Sequence, residues 1–250
     1  MSAKRLRIGK LWVDVLRFDE ALDAVEALVR AGQGGNVFTP NVDHVVSVES
    51  NEAFRQAYAR AALCLADGMP LVWGSRLLGR PLPERVAGSD LVLPLLERAA
   101  QRGWRVFFLG ADDGVADKAA EVVRKRFGTD VVGTDAPRIT LGDAAQLERI
   151  AAQLNAAKPH LVLMAFGAPK QELLMDALRE KVRPAVCLGI GASLDFIAGT
   201  VKRAPEFMRR SGLEWLYRLG QEPRRLWRRY LVNDPLFAAI LLRTLREGQR

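Results

Sequence analysis

Short apolar runs alternate with amphipathic segments along most of the chain. The runs at 36–38, 61–66, 104–109, 160–166 and 185–190 have the length of buried strands. Between them, segments such as Phe18–Ala31 repeat apolar residues at helical spacing, with Leu22, Val25 and Val29 on one stripe. This alternation predicts an α/β fold, with a Rossmann-like, mostly parallel sheet flanked by helices.

The same pattern predicts the remaining elements. An opening strand or hairpin is expected over 7–16 and a further strand near Val131. Helices are expected over 42–50, 52–61, 70–78, 89–101 and 141–157, from 171 to 181, and in a segment that ends at Phe127. Ser89 stands where it could cap the helix over 89–101.

Positive charge is concentrated near the carboxyl terminus. The chain has 37 Lys and Arg against 29 Asp and Glu, and the segment Val201–Arg250 holds 12 of the basic and five of the acidic residues. We therefore predict an α/β core over 1–200 and a basic, helical carboxyl-terminal appendage over 201–250. Such a segment indicates an anionic partner, which could be a nucleotide's phosphates, an acidic membrane surface or nucleic acid.

Several classes of protein are disfavoured. No apolar run of signal-peptide or membrane-spanning length is present, and Cys64 and Cys187 lie in apolar runs, which is typical of a reducing cytoplasm. The two His residues are far apart, no Cys pair has metal-ligand spacing and no Asp-x-Asp motif occurs. The sequence therefore favours a site without a tightly held metal.

Asp67 ends the apolar run over 61–66, and Gly68 and Pro70 break the pattern after it. Ligands of open α/β sheets bind just beyond the carboxyl ends of the strands, where a carboxylate can act as a base. Asp is also a favoured residue for capping the helix that follows. The stretch alone leaves both interpretations open.

Other junctions between strand and helix carry polar residues. Thr39-Pro40-Asn41 follows a short strand, and Gln171 belongs to the first turn after the strand over 160–166. The latter junction could bring backbone close to a ligand or simply start a helix at Pro169. The segment 189–194 has two glycines of a dinucleotide fingerprint, but Leu194 replaces the third. The incomplete fingerprint disfavours a nicotinamide or flavin cofactor, and the absence of a phosphate-binding loop motif disfavours a nucleoside-triphosphate hydrolase.

Three arginines of the appendage share a helical spacing. Arg218, Arg225 and Arg228 would fall within about 80° of each other on one continuous helix. They could present three guanidinium groups to an anionic ligand, or form a solvated basic face. Pro223 interrupts the register, so a shared face depends on how the chain bends there.

A set of motifs runs through the chain in a fixed order. They are Thr39-Pro40-Asn41, Ala66-Asp67-Gly68-Met69-Pro70, Arg85-Val86-Ala87-Gly88-Ser89-Asp90, Gly167-Ala168-Pro169-Lys170-Gln171-Glu172, Arg203-Ala204-Pro205-Glu206, Glu214-Trp215-Leu216-Tyr217-Arg218-Leu219 and Glu222-Pro223-Arg224-Arg225-Leu226-Trp227-Arg228-Arg229-Tyr230. Together they resemble the WecG/TagA/CpsF family of bacterial glycosyltransferases over nearly the whole chain.

The resemblance implies an inverting, metal-independent glycosyltransferase without a cofactor. It would move a sugar, of the N-acetylmannosamine type or a related hexose or uronic acid, from a UDP-sugar to a polyprenyl-diphosphate-linked acceptor. The process served would be the synthesis of cell-surface polysaccharide or teichoic acid. The protein would then be cytoplasmic and peripheral, at the anionic inner face of the cell membrane.

The resemblance also assigns expected roles to individual residues. Asp67 would be the catalytic base, and Thr39 and Asn41 would line the same pocket. The expected substrate-binding residues are Arg85, which would meet phosphate, the pocket residue Gln171, and three appendage arginines that would close over the nucleotide diphosphate, namely Arg218, Arg225 and Arg228.

Two other functions are compatible with parts of the sequence. A non-catalytic nucleic-acid-binding protein could use the basic tail, although no recognition helix or RNA-binding motif is evident, so we expect no nucleic-acid partner. An enzyme of the same shape could use a different activated donor. The sequence leaves the donor sugar, the acceptor sugar and a homo-oligomeric state open.

Overall fold

The computed structural model describes residues 4–205, 208, 214–221 and 234–248. The strands are β1 (Arg5–Ile8), β2 (Leu11–Asp14), β3 (Gly35–Phe38), β4 (Leu63–Cys64), β5 (Arg105–Gly110), β6 (Asp130–Asp135), β7 (Leu161–Ala165) and β8 (Val186–Gly189). The helices are α1 (Phe18–Ala31), α2 (Val42–Ser50), α3 (Glu52–Ala59), α4 (Met69–Leu77), α5 (Gly88–Arg102), α6 (Val115–Phe127), α7 (Ala144–Ala157), α8 (Lys170–Leu178), α9 (Ser193–Ala198), α10 (Glu214–Gln221) and α11 (Asp234–Glu247).

Six strands form one parallel sheet in the order β4-β3-β8-β7-β5-β6, and β1 and β2 form a separate antiparallel hairpin. Side chains alternate between the two faces of the sheet, so each strand contributes to two cores. In β5, Val106 and Phe108 pack with α1, α5, α6 and α9, whereas Phe107 and Leu109 pack with the hairpin and with α2, α3, α7 and α8. The predicted α/β class and helix-flanked parallel sheet are confirmed.

Helix α1 shows how local sequence sets the boundaries of an element. Glu20 accepts a hydrogen bond from the backbone N–H of Arg17 at 2.7 Å, which satisfies a donor at the helix start. Gly32 ends the helix in the left-handed conformation, at φ 62°. The stripe of Leu22, Val25 and Val29 is buried, as its spacing predicts.

Helix α5 begins differently from the prediction. Its first residue is Gly88 and its N-cap residue is Ala87, which makes no side-chain cap. Ser89 lies inside the helix, and its hydroxyl oxygen accepts a hydrogen bond from Arg203 at 2.6 Å. The expected Ser89 cap is therefore wrong, because a distant arginine uses this hydroxyl.

Helix α11 packs onto the core. Phe237 and Ile240 are buried in the core that lies beneath the hairpin, and Thr244 Oγ1 accepts a hydrogen bond from the Gly9 backbone N–H at 2.8 Å. Arg243 donates to Glu49 Oε1 of α2 at 2.6 Å. The predicted appendage thus contains a segment that packs on the hairpin and α2, and its boundary at residue 200 stays a prediction.

The described residues contain neither a membrane-spanning helix nor a metal-binding cluster. No helix among them is both long and apolar enough to cross a bilayer. Their His, Cys, Asp and Glu side chains form no group of three that could hold a metal ion.

Candidate active site

A cleft of about 640 Å³ opens at the carboxyl edge of the parallel sheet. Its walls come from the segments after β3, β4, β5, β7 and β8 and from the first residues of α5. Four sequence-predicted site residues line it together, namely Thr39, Asn41, Asp67 and Gln171. This is the place where an open α/β sheet binds its ligands, because the loops at this edge diverge and leave a crevice.

Backbone pairing places Asp67 in the cleft. The Leu65 N–H donates to Phe38 O at 2.8 Å, and the Asp67 N–H donates to Pro40 O at 2.8 Å. The backbone segments that follow β3 and β4 therefore remain paired beyond the ends of these strands. Gly68 is the N-cap residue of α4, at φ 144° and ψ 136°. Asp67 therefore does not occupy the cap position, and that interpretation is wrong. Its side chain is 30% exposed, which leaves it accessible to a ligand.

A chain of charged groups extends from Asp67 to the start of the basic tail. Arg85 Nη1 lies 3.9 Å from Asp67 Oδ1, and Arg85 Nη2 donates to Asp90 Oδ2 at 2.6 Å. The other oxygen of Asp90 accepts from Arg203 Nη2 at 2.7 Å. The guanidinium of Arg203 also lies over the Phe196 ring, 5.7 Å from its centroid. The predicted arginine thus stands beside the predicted base, held by a carboxylate on its far side.

Close packing at Gly88 sets the width of the cleft. A Cβ atom on Gly88 would lie 3.1 Å from Thr39 Oγ1 and 3.3 Å from Gly189 O. Thr39 Oγ1 itself donates to Gly189 O at 3.4 Å. Glycine at position 88 therefore lets the start of α5 approach the ends of β3 and β8.

Asn41 is the N-cap residue of α2 as well as a cleft residue. Its Oδ1 atom accepts from the Asp43 backbone N–H at 3.0 Å and lies 2.8 Å from His44 Nδ1. These contacts fix the orientation of the amide group. The side-chain nitrogen of Asn41 is the part of this group that remains for a ligand, as far as the described residues show.

Gln171 joins two loops of the cleft wall. Its Oε1 accepts hydrogen bonds from the backbone N–H groups of Phe166 and Gly191, each at 3.2 Å. Its Nε2 donates to Glu172 Oε1 at 3.0 Å, and the residue is only 5% exposed. Gln171 thus lies at the predicted site, where most of its hydrogen-bonding capacity holds the loops after β7 and β8 together.

The described lining of the cleft is acidic. It includes five carboxylates and no Lys or Arg side chain. The carboxylates belong to Asp43, Asp67, Asp112, Glu172 and Asp195. Burial raises the pKa of Asp195, and the nearby Asp112 carboxylate adds to that increase, while hydrogen bonds from Thr200 and the backbone oppose it. An anionic ligand such as a diphosphate would need cations supplied from Arg85 and from outside this lining.

The appendage arginines are only partly within the described residues. Arg218 lies on α10, but its side chain is outside the described part, and Arg225 and Arg228 are outside it altogether. Their approach to the cleft therefore stays a prediction.

The structure places four further residues at the site, for which the sequence alone predicts no role. They are His44, Asp90, Glu172 and Arg203. Asp90, Glu172 and Arg203 belong to the motifs that carry the family resemblance, which could have indicated a role. His44 stands three residues after the N-cap Asn41 and outside those motifs, and its contacts with Asn41 and Glu172 are evident only in the structure.

Comparison with known proteins shows the family of the chain. The model of the glycosyl transferase WecG/TagA/CpsF family matches residues 6–250. A protein of Bacillus spizizenii, named N-acetylglucosaminyldiphosphoundecaprenol N-acetyl-beta-D-mannosaminyltransferase, is 35% identical over 210 residues, which is 84% of this chain and 79% of the relative. The family match over residues 6–250 includes both the cleft and the basic tail. The chain belongs to the WecG/TagA/CpsF family of glycosyltransferases.

Proposed function

We propose that this glycosyltransferase moves an N-acetylmannosamine-type sugar from a UDP-sugar to an acceptor sugar carried on a polyprenyl diphosphate. The name of the Bacillus relative supports the sugar, the β linkage and the lipid-linked acceptor. The observation that carries the mechanism is the position of Asp67, whose accessible carboxylate lies in the cleft 3.9 Å from a guanidinium group.

The transfer is a single displacement with Asp67 as base. The oxygen of an acceptor hydroxyl forms a bond to the anomeric carbon of the donor, while Asp67 takes the hydroxyl proton. The bond between that carbon and the diphosphate oxygen breaks, and its electron pair leaves with UDP. Attack from the face opposite the leaving group inverts the anomeric configuration.

The leaving diphosphate needs positive charge, which we assign to arginines and not to a metal ion. Arg85 is already held beside the reacting carboxylate by Asp90. The basic tail supplies further guanidinium groups, for which we propose Arg218, Arg225 and Arg228. Closure of the tail over an acidic cleft is electrostatically favourable and would also exclude water.

We also propose that the protein works peripherally on an anionic membrane at the cytoplasmic face. The net excess of positive charge in the tail favours contact with acidic headgroups, and the polyprenyl acceptor resides in the bilayer. Sedimentation with vesicles tests this contact. We expect binding to vesicles with acidic phospholipid and release at high salt, and equal binding to neutral vesicles would contradict it.

A transfer assay tests the reaction itself. Full-length protein is incubated with radiolabelled UDP-sugars and an N-acetylglucosaminyl polyprenyl diphosphate, with and without EDTA. We expect UDP-N-acetylmannosamine to give a β-linked lipid disaccharide at the same rate in both buffers. Use of another donor would contradict the assignment of the N-acetylmannosamine-type sugar. Loss of product with EDTA would contradict the metal-independent mechanism. A salt-dependent shift on RNA or DNA without UDP binding would favour the nucleic-acid alternative.

A further inference from the structure

A histidine and a glutamate lie side by side, largely buried, in the wall of the cleft, and the displacement described above uses neither. His44 on α2 is 8% exposed and Glu172 on α8 is 2% exposed. His44 Nε2 lies 3.5 Å from Glu172 Oε1. A buried carboxylate costs free energy unless it is neutralised and hydrogen-bonded, so its presence at this edge of the sheet calls for a function.

Glu172 is only partly satisfied by the protein. Its Oε1 accepts from Gln171 Nε2 at 3.0 Å, whereas its buried Oε2 has no hydrogen-bond partner among the described residues. The His44 ring is stacked on Phe54 at 5.7 Å and meets the edge of Tyr58 at 6.2 Å. The imidazole is therefore held in a fixed plane, with Nε2 toward the carboxylate.

The other ring nitrogen meets two groups of the same residue. His44 Nδ1 lies 3.1 Å from the Asn41 backbone N–H and 2.8 Å from Asn41 Oδ1. The Asn41 amide cannot turn round without loss of its cap on Asp43. The ring therefore contacts both the backbone and the side chain of Asn41 in a single arrangement.

We propose that Glu172 and His44 are positioning residues for the sugar transfer. Glu172 orients the ring through Nε2, and the contacts of Nδ1 with the Asn41 backbone and side chain hold Asn41 in the cleft. This role rests on the proposed function, because Asn41 lines the cleft that we assign to the substrates. It deepens that function by adding a second carboxylate which never touches the reacting atoms.

Three variants separate positioning from packing. His44→Phe keeps the ring between Phe54 and Tyr58 but removes both nitrogens, so we expect kcat to fall about ten-fold or more with little change in KM. Its Tm should also fall, because the buried Glu172 loses its partner. His44→Asn keeps a polar side-chain group near the Nδ1 position but cannot reach Glu172, so we expect it to recover most of kcat without recovering Tm. Glu172→Gln keeps the size of the side chain and removes its charge, so we expect a smaller fall in kcat than in His44→Phe.

A second measurement is independent of the reaction. In full-length protein with selectively labelled asparagine, the Asn41 side-chain NH₂ resonances should move in His44→Phe and lie close to their wild-type positions in His44→Asn. A folded His44→Phe variant with full kcat would overturn the proposal, as would Asn41 resonances that do not move in that variant. If the protein transfers no sugar at all, the proposed function fails while the NMR comparison still decides whether His44 holds Asn41.

Discussion

Arg203 donates a hydrogen bond from Nη2 to Asp90 Oδ1 at 2.7 Å, and Arg85 occupies the other oxygen of the same carboxylate at 2.6 Å. Arg203 stands near the start of the basic tail, and Arg85 stands beside the proposed base Asp67. One side chain in the first turn of α5 therefore connects the beginning of the tail to the centre of the cleft.

Asp90→Asn should weaken both contacts without changing the size of the side chain. We expect kcat/KM to fall about ten-fold or more, because Arg85 loses the partner that holds it beside Asp67. The charges are partly exposed, so the free energy of unfolding should fall by only about 1 kcal/mol. Steady-state kinetics and thermal unfolding measure the two effects.

Asp113→Asn is the matched control for Asp90→Asn, because Asp113 is exposed and outside the lining of the cleft. This control variant should leave both kcat/KM and the free energy of unfolding unchanged. Wild-type kcat/KM in Asp90→Asn would show that the connection through Asp90 has no part in the reaction.

Gly189→Ala should displace Gln171 from the cleft wall. A Cβ atom at this position would lie 2.4 Å from Gln171 Nε2, whose side chain is tied to Phe166, Gly191 and Glu172. We expect a loss of about 1–3 kcal/mol in unfolding free energy and a marked loss of transfer activity. Denaturant unfolding and the transfer assay measure these quantities.

Gly167→Ala is the corresponding control, because a Cβ atom there meets nothing within 4 Å and its φ is not in the left-handed region. It should fold with unchanged stability. Equal stability and activity in both alanine variants would mean that Gln171 can move without consequence.

The two cysteines should be unreactive in the native protein. Burial raises the pKa of Cys187 to about 12 and that of Cys64 further, so both remain neutral thiols at pH 8. Since the thiolate is the nucleophile, labelling by a disulfide reagent at pH 8 should be at least about a hundred-fold slower than in denaturant. Rapid labelling of folded protein would contradict this burial.

The same thiols affect stability at high pH. Unfolding returns them to an ordinary pKa of about 8.5, so above that pH the unfolded state releases protons that the folded state retains. The contribution of the buried thiols to the free energy of unfolding is complete below about pH 8.5. It is lost progressively as the pH rises toward their pKa values in the folded state. Replacement of both cysteines by alanine should reduce this alkaline loss of stability, measured by denaturant unfolding from pH 8 to 10.

Much of the architecture follows from the sequence because its signals are local. Apolar runs define β3, β5, β7 and β8, and the carboxyl ends of parallel strands must share one edge. Thr39, Asn41, Asp67 and Gln171 each follow such a run, and the family resemblance assigned them to one pocket. The cap interpretations of Asp67 and Ser89 are wrong because neighbouring segments, and not local propensity, determine where those side chains lie.

The remaining features depend on contacts between distant segments. The approach of Arg203 to Asp90, and of Glu172 to His44, requires the relative placement of two helices or a helix and a loop. Hydrophobic periodicity specifies which faces are buried but not which charged groups meet at their ends. Such partners become visible only when distances between side chains are known.

The most direct test of the account is single-turnover transfer by Asp67→Asn, with UDP binding measured in parallel by calorimetry. Asparagine keeps the size of the side chain but cannot take the proton, so the account predicts a rate lower by about 10²–10⁴-fold with nearly unchanged UDP affinity and Tm. Transfer at close to the wild-type rate by a folded Asp67→Asn variant would contradict the assignment of Asp67 as the base.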